Sequence, residues 1–286
     1  MSGAERERFD EGWLSLREPA DARARAVELL VPLRAHFRSR DPAARTVSPA
    51  ILDLGSGTGS TTRWLAPQLA GPQRWTLLDH NQDLLRYAAA RCSEVRDATG
   101  RRVELYVRNA DLADLDAPDL GATDLVTASA LLDLLTRAEI ETLATQCAAA
   151  GCAALLTLSV SGQVTLDPPD ALDAALVAAF NAHQCRTSGD RMPLGPDAVS
   201  AAAAAFAERG HAVRVAASPW RLGPGSEALT GAWLEGWLDA AKAQEPALAT
   251  DLIGYRARRA TQIESGRLRV EVEHRDLLAL PAPKQH

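Results

Sequence analysis

The strongest chemical signal in the chain is ILDLGSGTGS at 51–60, a short apolar run that reaches Asp53 and then breaks into Gly55, Ser56, Gly57 and Gly59. Glycines at a strand-to-helix turn let the backbone fold tightly and approach a ligand with no Cβ in the way. A nucleotide is the first ligand this suggests. The dinucleotide loop wants glycine at its first, third and sixth places, and Ser60 holds the sixth. That loop also sets a pyrophosphate at the helix N-terminus, where a carboxylate just upstream is unwelcome. The phosphate loop needs a lysine that this stretch lacks. Asp53 is better matched to a cationic ligand.

S-adenosylmethionine is such a ligand, with a sulfonium, an α-ammonium and no phosphate. The stretch resembles motif I, E/DxGxGxG, of class I S-adenosylmethionine-dependent methyltransferases. Three further stretches fit the resemblance. Asp79 closes RWTLLD (74–79), 20 residues beyond Gly59. In the family this acid takes both ribose hydroxyls, and His80 then lies edge-on or stacked near the adenine. NADL (109–112) places Asp111 for the adenine amino group and Leu112 for packing against the ring. TASALLDLL (127–135) passes under the cofactor and makes Ser129 and Ala130 backbone contacts. Taken alone, Asp79 and Asp111 also read as helix caps. The resemblance spans 49–160 and hardly touches 1–46 and 161–286, where acceptor choice resides.

The activity implied is transfer of a methyl group to an oxygen or nitrogen of a small molecule, with S-adenosylhomocysteine as product. A non-catalytic S-adenosylmethionine-binding protein and an aminopropyl-type transferase on the same fold are the alternatives. The second wants an acidic cluster after the fourth strand, and Asp133 is the one acid in 127–138. A hydroxyl or protonated amine acceptor needs a base. His183, in a polar loop after the fifth strand, and Asp133, after the fourth, are the catalytic candidates, each with a plain reading as a loop or cap residue. Arg186 and Arg191 in the same loop suit either an acidic substrate or solvent. Trp13, with Phe9, can bring an N-terminal helix over the pocket, and Trp233 and Trp237 share one helix face.

These residues need a scaffold. The apolar runs 50–54, 74–79, 102–107, 123–129 and 153–159 alternate with helical segments at 60–70, 81–94 and 137–150, which implies a largely parallel, doubly covered α/β sheet. A sixth strand falls at 212–218, and Leu268, Val270 and Val272 alternate as an antiparallel strand in 267–275. The resemblance makes this a seven-stranded, doubly wound Rossmann-like sheet, with a helical insertion at 226–265 before the last strand. Residues 161–170 look turn-rich and 183–197 a polar loop. The division expected is an N-terminal helical cover, 1–46, and a Rossmann-like methyltransferase domain, 47–286, with insertions at 161–197 and 226–265 on the substrate side. In the cover, Asp21 suits an N-cap, Val27, Leu30, Leu33 and Phe37 an apolar face, and Pro32 a kink or a break into two helices.

The 286 residues are 47% hydrophobic and 24% charged, as in ordinary globular chains, which excludes disorder and coiled coil as the main answer. A net charge of −6 counts against nucleic acid as a partner. No apolar run reaches membrane-spanning length and the charged N-terminal stretch does not read as a signal peptide, so a cytoplasmic monomer or homodimer is expected. Cys92, Cys147, Cys152 and Cys185 form no metal-ligand spacing, so no metal is expected.

Overall fold

In the computed structural model, which describes residues 10–39, 48–112, 120–187 and 189–282, the apolar runs become strands and the spacers between them helices. The sequence enters through α1 (Glu11–Ala24) and α2 (Leu30–Ser39) and then alternates through β1 (Ala50–Leu54), α3 (Ser60–Leu65), β2 (Arg74–Asp79), α4 (Gln82–Cys92) and β3 (Glu104–Asn109). Next come β4 (Leu125–Ser129), α5 (Arg137–Ala150), β5 (Ala153–Asp167), α6 (Asp173–Gln184), α7 (Ala198–Glu208), β6 (Ala212–Ala217) and β7 (Trp220–Leu222). The helices α8 (Glu227–Gln244) and α9 (Ala249–Glu264) precede β8 (Arg269–Leu280).

The sheet runs β3-β2-β1-β4-β5-β8-β6, with β7 pairing on β8. The first five strands are mutually parallel, and β8 is antiparallel to both β5 and β6. Strand order reverses between β1 and β4, and in doubly wound sheets ligands bind outside the strand C-termini at such a reversal. The Rossmann-like order is the expected one, while β7 makes an eighth strand. At three residues it is too short to show a periodicity.

Two apolar cores sandwich the sheet. Leu52, Leu54 and Val126 pack with α5 and α7 on one face, while Leu33, Trp75 and Leu155 pack with α2 on the other. A further core extends past the strand C-termini, where Leu166, Val270 and Val272 meet Trp220, Trp237 and Tyr255. The stacked pair Trp233 and Trp237, 5.3 Å apart, belongs to that core.

The apparent turns at 161–170 are mostly strand. β5 runs to Asp167 beside β8, with register shifts at Leu156–Ser159 and Val160–Val164. Bulges absorb the extra residues, so polar side chains and a glycine sit inside a strand without ending it.

The N-terminal segment does break into two helices, but the break lies at 25–29 and Pro32 sits in the first turn of α2, where a missing N–H costs nothing. Leu30, Leu33 and Phe37 are buried, whereas Val27 is exposed. Asp21 is not a cap. Asp10 caps α1 by accepting from the Trp13 N–H, and Asp21 is buried inside the helix. Phe9 and much of the cover, 1–9 and 40–46, lie outside the described residues. Among the described residues no helix is long and apolar enough to cross a membrane, and no group of three or more His, Cys, Asp or Glu is placed to hold a metal ion.

Candidate functional site

Asp53, one residue before the end of β1, has no solvent exposure. Its register partner on β4, Thr127, donates its hydroxyl to Asp53 Oδ1 at 2.7 Å, and Oδ2 is buried with no hydrogen-bond partner. Burial pushes this carboxyl up to about 7, against the pull of the Thr127 bond and of the Arg25 guanidinium. A carboxylate held dry and half-bonded is stabilised by an arriving cation.

The glycine loop that follows turns on three left-handed residues, Gly55, Gly57 and Gly59. A side chain is barred at Gly59 by more than its φ of 79°, since a Cβ there would lie 2.6 Å from Cys92 Sγ. The loop is tied to Asp79 at the end of β2, whose Oδ2 accepts from the Gly57 N–H at 2.9 Å and Oδ1 from the Asn81 N–H at 2.8 Å. Asn81, not Asp79, caps α4. The Asp79 carboxylate therefore stands at the rim of the loop with lone pairs to spare.

His80 projects beside it, its Nδ1 3.5 Å from Asp79 Oδ1 and its side chain 57% exposed. Asn109 at the end of β3 donates to the carbonyls of Asp79 and His80, locking the two strand ends together. Beyond it Asp111 is exposed and Leu112 half-buried against the core. On the other side, Ala130 takes a left-handed φ of 51° after β4, and its N–H bonds the Thr157 carbonyl. This bend brings Leu131 against Gly55.

The loop residues 55–58, 60 and 61, with Ser129 and Ala130, line a small cavity of about 40 Å³ together with Leu14, Arg17 and Asp21 of α1. α1 lies directly over the loop, with Leu14 Cδ1 3.2 Å from where a Cβ on Gly57 would sit. Glu18 fixes it there through two bonds from Arg63, at 2.8 and 2.6 Å.

Just past α1, Arg25 is buried and donates Nη2 to the hydroxyls of Ser60 and Ser129, leaving Nε and Nη1 buried without partners. Burial lowers its pKa, opposed by Asp21, Asp276 and Asp53. Arg17, Asp21, Arg25, Trp220 and Asp276 escape sequence reasoning because chain segments as far apart as Asp21 and Trp220 build the site. The i,i+4 spacing of Arg17 and Asp21 was the one local sign of a paired, inward face.

The two catalytic candidates part company. Asp133 sits in the turn after β4 with Oδ1 buried and unpartnered; burial raises its pKa and the Arg17 charge opposes this. His183 is not in a loop but in the last turn of α6, a helix packed on α8, with Nδ1 3.5 Å from an Arg186 nitrogen. Neither His183 nor Asp133 is among the residues that line the cavity. Arg186 reaches the Ala243 carbonyl and Arg191 pairs with Glu139 at 2.9 Å, so both loop cations are engaged at the surface.

Residues 51–150 match the model of a methyltransferase domain. No curated protein matches the sequence. Among solved structures, the cyclopropane synthase MmaA2 from Mycobacterium tuberculosis is 16% identical, covering 82% of this chain and 79% of that one at a TM-score of 0.43. The mycolic acid cyclopropane synthase CmaA1, complexed with SAH and CTAB, is 15% identical over 82% and 79%, with a TM-score of 0.45. Phosphoethanolamine N-methyltransferase 2 from Haemonchus contortus, in complex with S-adenosyl-L-methionine, is 15% identical over 89% of this chain and 52% of that one, with a TM-score of 0.42. From β1 to the end of α5, then, the chain carries the methyltransferase domain that this family model describes.

Proposed function

We propose that the chain binds S-adenosylmethionine over the glycine loop and transfers its methyl group to an oxygen or nitrogen of a small molecule. The observation that carries this is the pair of carboxylates flanking the loop: dry, half-bonded Asp53 at the strand end, and Asp79 at the rim. A ligand with a cationic end and a ribose satisfies both. A pyrophosphate satisfies neither, because Asp53 and Asp21 repel it.

The donor set fits the cofactor. Asp79 holds the ribose hydroxyls, with His80, Asp111 and Leu112 on the adenine side. Ser56, Ser129 and Ala130 face its methionine end, Asp53 balances the positive charge, and the unpartnered Arg25 nitrogens take the α-carboxylate. The cavity beneath α1, about 40 Å³, holds about three waters and is far too small for a nucleoside, so α1 must shift for the ligand to enter. When bound, the cofactor supplies a methyl carbon whose bond to sulfur breaks, sulfur keeping the electron pair, as the acceptor's lone pair forms the new bond. Asp133 takes the acceptor's proton, and the residues around it hold the acceptor in line.

A pH profile tests the assignment. Asp53 titrates near 7 when folded and near 3.8 when unfolded. The folded chain therefore loses stability as pH rises between these values, because ionisation is harder in the folded state. A sulfonium favours the ionised form. The affinity ratio of S-adenosylmethionine to S-adenosylhomocysteine is expected to rise by up to about tenfold from about pH 6 to about pH 8. The Asp53→Asn variant should show no such slope. A flat ratio in the wild type, measured by equilibrium binding, contradicts the role given to Asp53.

A further inference from the structure

We propose that Thr127 is a positioning residue for the cofactor: its hydrogen bond holds the Asp53 carboxylate in one orientation and in the charged form that balances a sulfonium. This deepens the functional reading above and rests on it. The strand β4 gives the first indication. In LVTAS (125–129), Val126 and Ala128 belong to the core beneath α5 and α7, and Leu125 to the core beneath α2 on the opposite face. Alternation puts Thr127 on the face of Leu125. A valine would fill that position with the same shape and no polar atom. A hydroxyl there, without solvent exposure, is costly unless it is bonded.

The bond goes to Asp53. Register across parallel β1 and β4 sets the two residues side by side, and Thr127 Oγ1 donates to Asp53 Oδ1 at 2.7 Å. A β-branched side chain in a strand has little χ1 freedom, so the backbone itself fixes the donor. The hydroxyl proton is thereby committed to Oδ1, while Oδ2 stays buried without a partner. Gly55, which lines the cavity, lies two residues further on, about 7 Å of extended chain. Across a dry interior a charge acts over that distance.

The groups around the carboxyl show why this bond matters. Burial holds the proton on Asp53, and the Thr127 bond is the largest influence that draws it off. Arg25 past α1 and Arg63 on α3 act in the same direction, and Asp79 on β2 opposes them. Cys92 on α4 feels the Asp53 charge, but burial raises its own pKa and keeps it a thiol. The two arginines serve other carboxylates as well, Arg25 those of Asp21 and Asp276 and Arg63 that of Glu18. The Thr127 hydroxyl is spent on Asp53.

The test compares the wild type with Thr127→Val and Thr127→Ala, which lack the hydroxyl, and with Thr127→Ser, which keeps it. Two readings are taken against pH on each whole chain. The carbon-13 carboxyl signal of Asp53 reports its ionisation without ligand. Equilibrium binding reports the affinity ratio of S-adenosylmethionine to S-adenosylhomocysteine. Loss of the hydroxyl should move the carboxyl midpoint up by about one pH unit, the scale of one charge-assisted bond. A higher midpoint means less ionised Asp53 at neutral pH, so the ratio there should fall about threefold. Serine should restore both. A midpoint unchanged in a folded valine or alanine variant overturns the proposal and leaves Thr127 a packing residue. A midpoint that moves while the ratio does not also overturns it, because Asp53 then answers to Thr127 without acting on the cofactor. A wild type that binds neither nucleoside overturns the functional reading, and the role of Thr127 with it.

Discussion

Replacing Asp276 by alanine is expected to remove about 3–5 kcal/mol of folding stability, the scale for breaking a buried charged network. Asp276 is 1% exposed in the middle of β8. Its Oδ2 accepts from the Ala26 N–H at 2.8 Å and its Oδ1 from the Leu158 N–H at 2.7 Å. The first bond pins the break between α1 and α2. The second holds a bulge of β5 in which Leu158, a non-glycine residue, takes a left-handed φ of 57°. Alanine leaves both N–H groups buried without an acceptor and deprives Arg25 of one of its three carboxylates.

Burial raises the pKa of Asp276, so the carboxylate bears a desolvation cost of its own, which the lost contacts outweigh. Asparagine, which keeps one acceptor, should cost less than alanine. Urea unfolding should show a lower midpoint at an unchanged slope, and the melting temperature should fall by roughly 10 °C. A loss under about 1 kcal/mol contradicts the anchoring role, because a solvent-exposed acceptor would cost no more than that.

The second large effect falls on binding. Asp79→Asn is expected to weaken S-adenosylhomocysteine by about 100-fold, or about 3 kcal/mol, since two charge-assisted hydrogen bonds to the ribose become weaker neutral ones. The variant also meets the Gly57 or Asn81 N–H with an amide NH2 in place of an oxygen, which disturbs the loop that must face the ligand. The circular dichroism of the variant should remain that of the folded chain. Binding equal to the wild type would leave Asp79 as no more than a tie between the loop and α4.

How legible was this in the sequence? The half of the sheet that builds the loop was plain, because β1 and β2 are near-continuous apolar runs with an acid at or next to their ends, and such runs belong to parallel strands covered on both faces. The glycines were legible too, and their positive φ values explain the residue type. The other half was obscured by compensation. Ser161 and Gly162 look like a turn, yet β8 pairs with β5 on both sides of them and the bulge takes up the slack.

α6 was hidden as well, since an alanine-rich stretch with few large apolar residues gives a weak period, and this is why His183 was expected in a loop. The cover over the site was the least legible part. Asp21 has the residue type of a cap, but its partner Trp220 lies 199 residues away. Arg25 meets Ser129 104 residues on, and no local pattern encodes such a contact.

In the proposed function, dry Asp53 and the rim carboxylate Asp79 create a site for a cationic nucleoside and not for a pyrophosphate. Calorimetric titration of the purified chain with S-adenosylhomocysteine, beside one with NAD, tests it most directly. Micromolar binding of S-adenosylhomocysteine, about −8 kcal/mol, and no heat from NAD are the expected results. Binding of NAD, or a folded chain that ignores S-adenosylhomocysteine, would contradict it.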